Sequence, residues 1–169
     1  MRVFTLLLMA WLLAACTGLP QGVQPVQPFD AERYLGTWYE IARLDHSFER
    51  GLEQVSANYS LREDGGIRVL NKGYSAEDGK WQEAEGKAYL MGAAEEGYLK
   101  VSFFGPFYGA YGISDRADAY NWPIVRAPRG RYLWILTRAA EPEPATRAAL
   151  EARVKALGYE WSLVRQTKH

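Results

Sequence analysis

Cysteine is almost absent. Cys16 stands alone in 169 residues, which excludes an internal disulfide, a CxxC site and a cysteine nucleophile held beside a second thiol. Histidine is nearly as scarce: His46 and the terminal His169 supply neither a histidine pair for a metal nor a catalytic triad. Neither sign of charge is in excess, since 20 Lys+Arg face 20 Asp+Glu. A nucleic-acid surface needs a basic surplus, and a polybasic lipid-binding patch is missing for the same reason. The longest apolar run, Val3 to Leu13, is too short to cross a bilayer as a permanent helix.

That run follows Arg2 and leads into Leu13-Ala14-Ala15-Cys16. The arrangement is an export signal, residues 1–15, removed on maturation. Leu-Ala-Ala-Cys matches the lipobox of bacterial lipoproteins, which implies diacylglycerol on the Cys16 thiol, cleavage before it and acylation of the new amine. The lone cysteine of an exported chain is thereby accounted for, and two or more acyl chains make a stable anchor. Residues 16–28 carry Pro20, Pro25 and Pro28 and form an extended tether. The remaining residues, 29–169, are enough for one domain with a substantial core.

Within that domain, short β-like runs alternate with turn residues. Eight are expected: Gly36 to Arg43, Leu52 to Leu61, Ile67 to Tyr74, Trp81 to Met91, Tyr98 to Phe104, Phe107 to Ile113, Asp118 to Arg126 and Arg131 to Arg138. Glu63-Asp64-Gly65-Gly66, Glu77-Asp78-Gly79 and Ala127-Pro128-Arg129-Gly130 supply the special backbone angles that turns need. Pro123, inside the seventh run, implies an edge, a bulge or a displaced boundary. After Glu141-Pro142-Glu143-Pro144 the period changes: Leu150, Val154 and Leu157 mark an amphipathic helix that Gly158 stops. Trp161 to Val164 is a candidate terminal strand.

Gly36-Thr37-Trp38-Tyr39-Glu40-Ile41-Ala42-Arg43 opens the domain with a strand that carries a large ring, and Tyr132 to Arg138 closes it with a strand ending in a cation. A Gly-x-Trp first strand paired with a late Arg resembles the lipocalin family. The likeness extends to Phe48-Glu49-Arg50-Gly51-Leu52, Asn71-Lys72-Gly73-Tyr74, Glu85-Gly86-Lys87-Ala88 and Lys100 to Gly109, which are similar to the bacterial outer-membrane lipoprotein branch, a relative of apolipoprotein D. It runs from about Phe29 to Arg138 and fades in the tail. The family's middle motif, an Asp shortly before a Tyr, is met only by Asp118-Ala119-Tyr120. The resemblance implies an all-β, eight-stranded antiparallel up-and-down barrel with the C-terminal helix packed outside. It also implies Arg138 stacked over Trp38 at the floor beside Gly36, a loop between Arg43 and Leu52 over the mouth, an outer-membrane address because Thr17 is not Asp, and homodimers.

A small closed barrel holds either packed side chains or one small ligand. If Arg138 covers Trp38, period-2 alternation points Trp134 and Tyr132 into the cup above. Tyr59, Tyr89, Met91, Phe103 and Tyr111 are the other candidate wall residues, and Phe48 is a candidate lid. Several tyrosine hydroxyls suit a wet or ligand-filled cup better than a dry core. The expected ligand is a fatty acid or lysophospholipid, stored or carried at the outer membrane, with no cofactor, metal or nucleic acid. An enzyme acting on a lipid or isoprenoid, or a filled barrel serving as an envelope interaction module, is the alternative.

Overall fold

The computed structural model describes residue 18, residues 23–127 and residues 130–169. Cys16, the signal segment and most of the tether lie outside these residues. Asp30 begins the folded domain as an N-cap, its carboxylate accepting from the Glu32 and Arg33 amides and starting a one-turn helix, α1 (Ala31–Tyr34). Eight strands follow: β1 (Gly36–Leu44), β2 (Leu52–Leu61), β3 (Ile67–Ser75), β4 (Lys80–Leu90), β5 (Tyr98–Phe104), β6 (Phe107–Arg116), β7 (Pro123–Ala127) and β8 (Tyr132–Thr137). Each pairs antiparallel with the next, and β1 pairs with both β8 and β2, so the sheet closes into a barrel. Closure removes free edges over the lower barrel.

The strands alternate in direction, which divides the connections between two ends. The floor carries α1 and the turns at residues 62–66, 91–97 and 117–122; the mouth carries residues 45–51, 76–79 and 105–106 and the β7–β8 connection. The seventh strand begins at Pro123, not Asp118. Ala117 N–H reaches the Trp122 carbonyl and Tyr120 N–H the Ala117 carbonyl, so residues 117–122 close a floor turn with Tyr120 at φ +55°. Proline then occupies the first strand position, opposite Arg116 beside a register shift in β6, where its missing N–H does little harm.

In the C-terminal segment the expected helix is present, and the expected terminal strand is displaced toward the C-terminus. Helix α2 (Pro144–Ala156) has proline in its first turn, buries Leu150 and Val154, and ends at Gly158, φ +90°. There Gly158 and Tyr159 N–H groups return to the Lys155 and Val154 carbonyls, closing the last turn in the glycine-terminated way. A 3-10 turn (Trp161–Leu163) leads into a ninth strand, β9 (Val164–Gln166). Strands β1 and β2 pair only between Gly36–Tyr39 and Tyr59–Ser56. Nearer the mouth they part, β9 takes the vacated side of β1 at Ala42–Leu44, and Gln54 N–H on β2 donates to the Lys168 carbonyl at 2.6 Å.

Two cores result. One fills the lower barrel, with Trp38, Tyr59, Ile67, Val69, Ala88, Leu99, Ile113, Val125 and Leu136. The other, Ile41, Ala42, Ile124, Leu133 and Ile135 against Leu150, Val154 and Val164, seals α2 and β9 to the outside wall. Among the described residues both cores and every strand lie between Phe29 and Gln166, so the stretch from Val23 onward contains every described element that packs and is taken as the folding unit.

Candidate functional site

The site is the barrel interior, and its base is set by Trp38 and Arg138. Trp38 is fully buried and its indole N–H donates to the Tyr34 carbonyl at 2.8 Å. The Arg138 guanidinium carbon lies 3.5 Å from the centre of that ring, an arrangement worth about 0.5–2 kcal/mol. It also donates to the carbonyls of Thr37, Arg33 and Leu35, each at 2.8 Å, tying α1 to the barrel. Gly36 permits this approach: it sits at φ +96°, and a Cβ there would lie 3.3 Å from Arg138 Nη1.

Above the floor, three hydroxyls meet. Tyr111 Oη is 2.7 Å from Tyr34 Oη and 3.0 Å from Tyr59 Oη. Burial pushes all three phenols up, Tyr59 to about 12. Tyr59 and Tyr111 therefore do line the interior, as part of a hydrogen-bonded cluster in its lower half.

On β4, β5, β6 and β8 the inward-facing positions become more exposed from floor to mouth, whereas on β3 and β7 they are still buried at Ser75 and Ala127. On β4 the series is Ala88 and Gly86 buried, then Ala84 exposed; on β6 it is Ile113 buried, Tyr111 half-buried, Gly109 exposed. On β5 Leu99 is buried while Val101 and Phe103 are half-buried, and on β8 Leu136 is buried while Trp134 and Tyr132 are half-buried. The cup is filled below and open above, walled at the rim by rings and very small residues. Strand β4 pairs with β5 only from Lys87 to Leu90, and a hollow of about 240 Å³ lies in the wall there, lined by Arg62, Glu85 and Lys87 as well as Gly86 and Phe103.

Trp134 and Tyr132 stack at 5.6 Å with an interplanar angle of 8°. Phe48, 61% exposed, leans over the mouth against His46 at 4.0 Å and Tyr132 at 5.8 Å between ring centres. Two expected wall residues are not in the cup. Ala88 faces inward, so its neighbour Tyr89 faces out, where its hydroxyl donates to Asp64 at 2.8 Å beneath the Lys100 cation. Met91 follows the last residue of β4, its amide bonded to the Tyr98 carbonyl in the floor turn. Strand parity excludes Tyr89, and the early end of the fourth strand at Leu90 excludes Met91.

The mouth also holds a buried polar group, of which the sequence indicated only Glu40, as a buried carboxylate beside an arginine. Glu40 and Arg43 pair at 2.6 Å; Thr167 Oγ1 donates to the same Glu40 oxygen at 2.6 Å, and Arg43 Nη2 donates to the Glu49 carbonyl at 2.6 Å. Burial raises the Glu40 carboxyl above its ordinary range, Glu49 adds to the effect and Arg43 opposes it. Glu49 Oε2 accepts from the Trp134 indole at 2.9 Å and lies 2.7 Å from His46 Nε2, so the loop carrying Phe48 is fastened to the rings below it. The only advance signal was that Glu40 shares parity with Trp38. Among the described residues no group of three or more His, Cys, Asp or Glu side chains is placed to hold a metal ion.

The architecture is that of solved barrels: insecticyanin from the tobacco hornworm Manduca sexta superposes with a TM-score of 0.73 at 22% identity, over 90% of this chain and 87% of that one. Outer membrane lipoprotein Blc of Vibrio cholerae is 54% identical over 144 residues, 85% of this chain and 84% of its own length. Apolipoprotein D of Rattus norvegicus is 37% identical over 134 residues, 72% of this chain and 68% of that protein. Residues 29–169 match the family model for a lipocalin-like domain, and with the Trp38–Arg138 floor and the closed eight-stranded wall in place, the chain belongs to the lipocalin family.

Proposed function

We propose that this lipocalin carries fatty acids or lysophospholipids, taken tail first into the cup, while acyl chains on Cys16 hold it at the outer membrane. The observation that carries the reading is the gradient of exposure along the inward-facing positions of β4, β5, β6 and β8. A barrel serving only as a scaffold would be filled to the rim. Here the upper inner wall on β4, β5, β6 and β8 is left partly exposed and carries rings and small residues that suit a chain. The name of the Vibrio cholerae relative, an outer membrane lipoprotein, supports the address.

Energetics favour a fatty occupant. Each buried CH₂ contributes about 0.8 kcal/mol, so part of an acyl tail suffices for the roughly 8 kcal/mol of micromolar binding once ordering costs are met. Selectivity among chains should be loose, because no polar contact is required at the tail. Trp134→Lys tests this. It puts a cation on the inner wall beside Glu49, which supplies a counter-charge and protects the fold. Binding of a fluorescent fatty acid should weaken by about tenfold or more with the far-ultraviolet sheet signal unchanged; undiminished binding contradicts the cup as the lipid site.

A further inference from the structure

Where β1 and β2 part, the wall has a notch, and its lining is unlike the rest of the rim. A hollow of about 320 Å³ lies there, at the small end of the range for ligand pockets. Arg43, Arg50, Arg165 and Lys168 line it together with Asp45 and Glu53, four cations against two carboxylates in a chain with no net charge. Arg50 is held by Asp45 at 2.7 Å and Lys168 lies 3.3 Å from Glu53. Arg43 is paired with Glu40 behind the notch, so Arg165 is the surplus cation.

Arg43 is the informative member. Only 5% exposed, it spends Nη1 on Glu40 and Thr167 and Nη2 on the carbonyls of Glu49 and Leu52. Its Nε, buried, finds no hydrogen-bond partner among the described residues. A buried donor left unpaired costs about 1–3 kcal/mol, which an acceptor brought by a ligand would recover. The notch also communicates with the cup: Arg43 pairs with Trp134 across β1 and β8, and Glu49 bonds both the Trp134 indole and the Arg43 guanidinium. A polar group on a chain lying over Trp134 emerges beside Arg43.

We infer that the notch between β1, β2 and β9 is a binding site for a phosphate group, taken by Arg43 and Arg165 with Arg50 and Lys168 around them. The Arg165 guanidinium offers the fork that suits phosphate oxygens, and Arg43 adds its one unpartnered N–H. The inference deepens the carrier reading and rests on it for the source of the phosphate: the head group of a lysophospholipid whose tail is in the cup. Free inorganic phosphate offers the same chemistry, so the test separates the two.

The test compares the chain from Val23 onward with its Arg165→Gln/Lys168→Gln variant; both positions are exposed, so the barrel is untouched. Cis-parinaric acid, a fluorescent fatty acid without phosphate, reports the cup. Palmitoyl lysophosphatidic acid is used to displace it, and inorganic phosphate is titrated alone while the Arg43 Nε–H resonance is followed. The expected result is equal affinity of both proteins for parinaric acid, with lysophosphatidic acid about tenfold weaker as a competitor in the variant, the loss of roughly one charge-assisted contact. If inorganic phosphate shifts the Arg43 resonance in the wild type but not the variant, while lysophosphatidic acid competes equally, the notch is a phosphate site served by the free ion. Equal competition with no response to phosphate overturns the site. Failure of the wild type to bind parinaric acid overturns the carrier reading alone, and the phosphate titration still decides the notch.

Discussion

Tyr111 is the residue on which the lower cup turns, because its one hydroxyl serves both Tyr34 and Tyr59. A phenol in this place is costly to ionise: it leaves water, and the negative charge falls beside two other hydroxyls. The consequence for stability has a definite sign. The three folded-state pKa values are raised, Tyr59 to about 12, so below the ordinary phenol value near 10 their contribution is fully present. Above it the unfolded chain releases protons the folded chain retains, and stability is lost as pH climbs through the folded values. Urea midpoints should therefore fall steeply between pH 10 and 12, and the fall should be shallower in Tyr111→Phe, which removes one of the three titrating groups. Absorbance at 295 nm should show these three of the 11 tyrosines ionising only with unfolding; a smooth titration of all of them in the native state would show that the cluster is open to water.

At the scale of elements, β9 is what makes the parting of β1 and β2 tolerable. It caps their open backbone, and Thr167 just beyond it supplies the hydroxyl that shares Glu40 with Arg43. Thr167→Val keeps the shape and deletes that donor, leaving a buried carboxylate one bond short, so it should cost about 1–3 kcal/mol in urea denaturation, with Thr167→Ser recovering most of it. No loss in the valine variant would mean that the Glu40–Arg43 pair is satisfied without the tail. How far such elements can be seen in a sequence depends on how much pattern each carries. The runs that became β2 and β5 were legible to the residue, since alternation and flanking turns agree, and Gly36, Trp38 and Arg138 announced the floor. The start of β7 was not, because Asp118 to Trp122 has strand-like residues but spends its backbone on a turn. Three-residue β9 has no period to read; its position follows from α2 docking against Ile135 and Ala42. In the cup, Trp134 and Tyr132 were placed by parity; Tyr59, Tyr111, Phe103, Tyr89 and Met91 were chosen as rings and a thioether, and residue type without a strand register does not separate the first three, which face inward, from the last two, which do not. The mouth cluster escaped because Glu40, Glu49 and Thr167 are brought together across 127 residues by a gap in the wall that no local pattern encodes.

For the whole molecule, the two ends of the barrel have different neighbours. Val26 exchanges hydrogen bonds with Ile113 and Gly97, Phe29 N–H donates to the Glu95 carbonyl, and Asp30 N–H to the Tyr120 hydroxyl, so the chain enters the domain at the floor. The mouth, at the opposite end, exposes Phe48, Phe104 and Phe107. About ten residues separate Cys16 from Val26, a length that reaches at most about 33 to 36 Å when fully drawn out. The barrel takes up most of that reach: its ten-residue strands are about 34 Å long, which at the usual tilt of about 40° gives a height near 25 Å. With Cys16 acylated, laying the mouth on the anchoring leaflet would demand a nearly taut tether along the wall, whereas laying the floor there demands nothing. The floor should therefore face the membrane, and lipid should enter and leave the cup from the side turned away from it. In vesicles carrying spin-labelled head groups, a fluorescent amino acid at Ala94, exposed in the floor turn, should be quenched more strongly than one at Phe107. The reverse order would place the exposed rings at the bilayer and make the anchoring leaflet itself the source of the ligand.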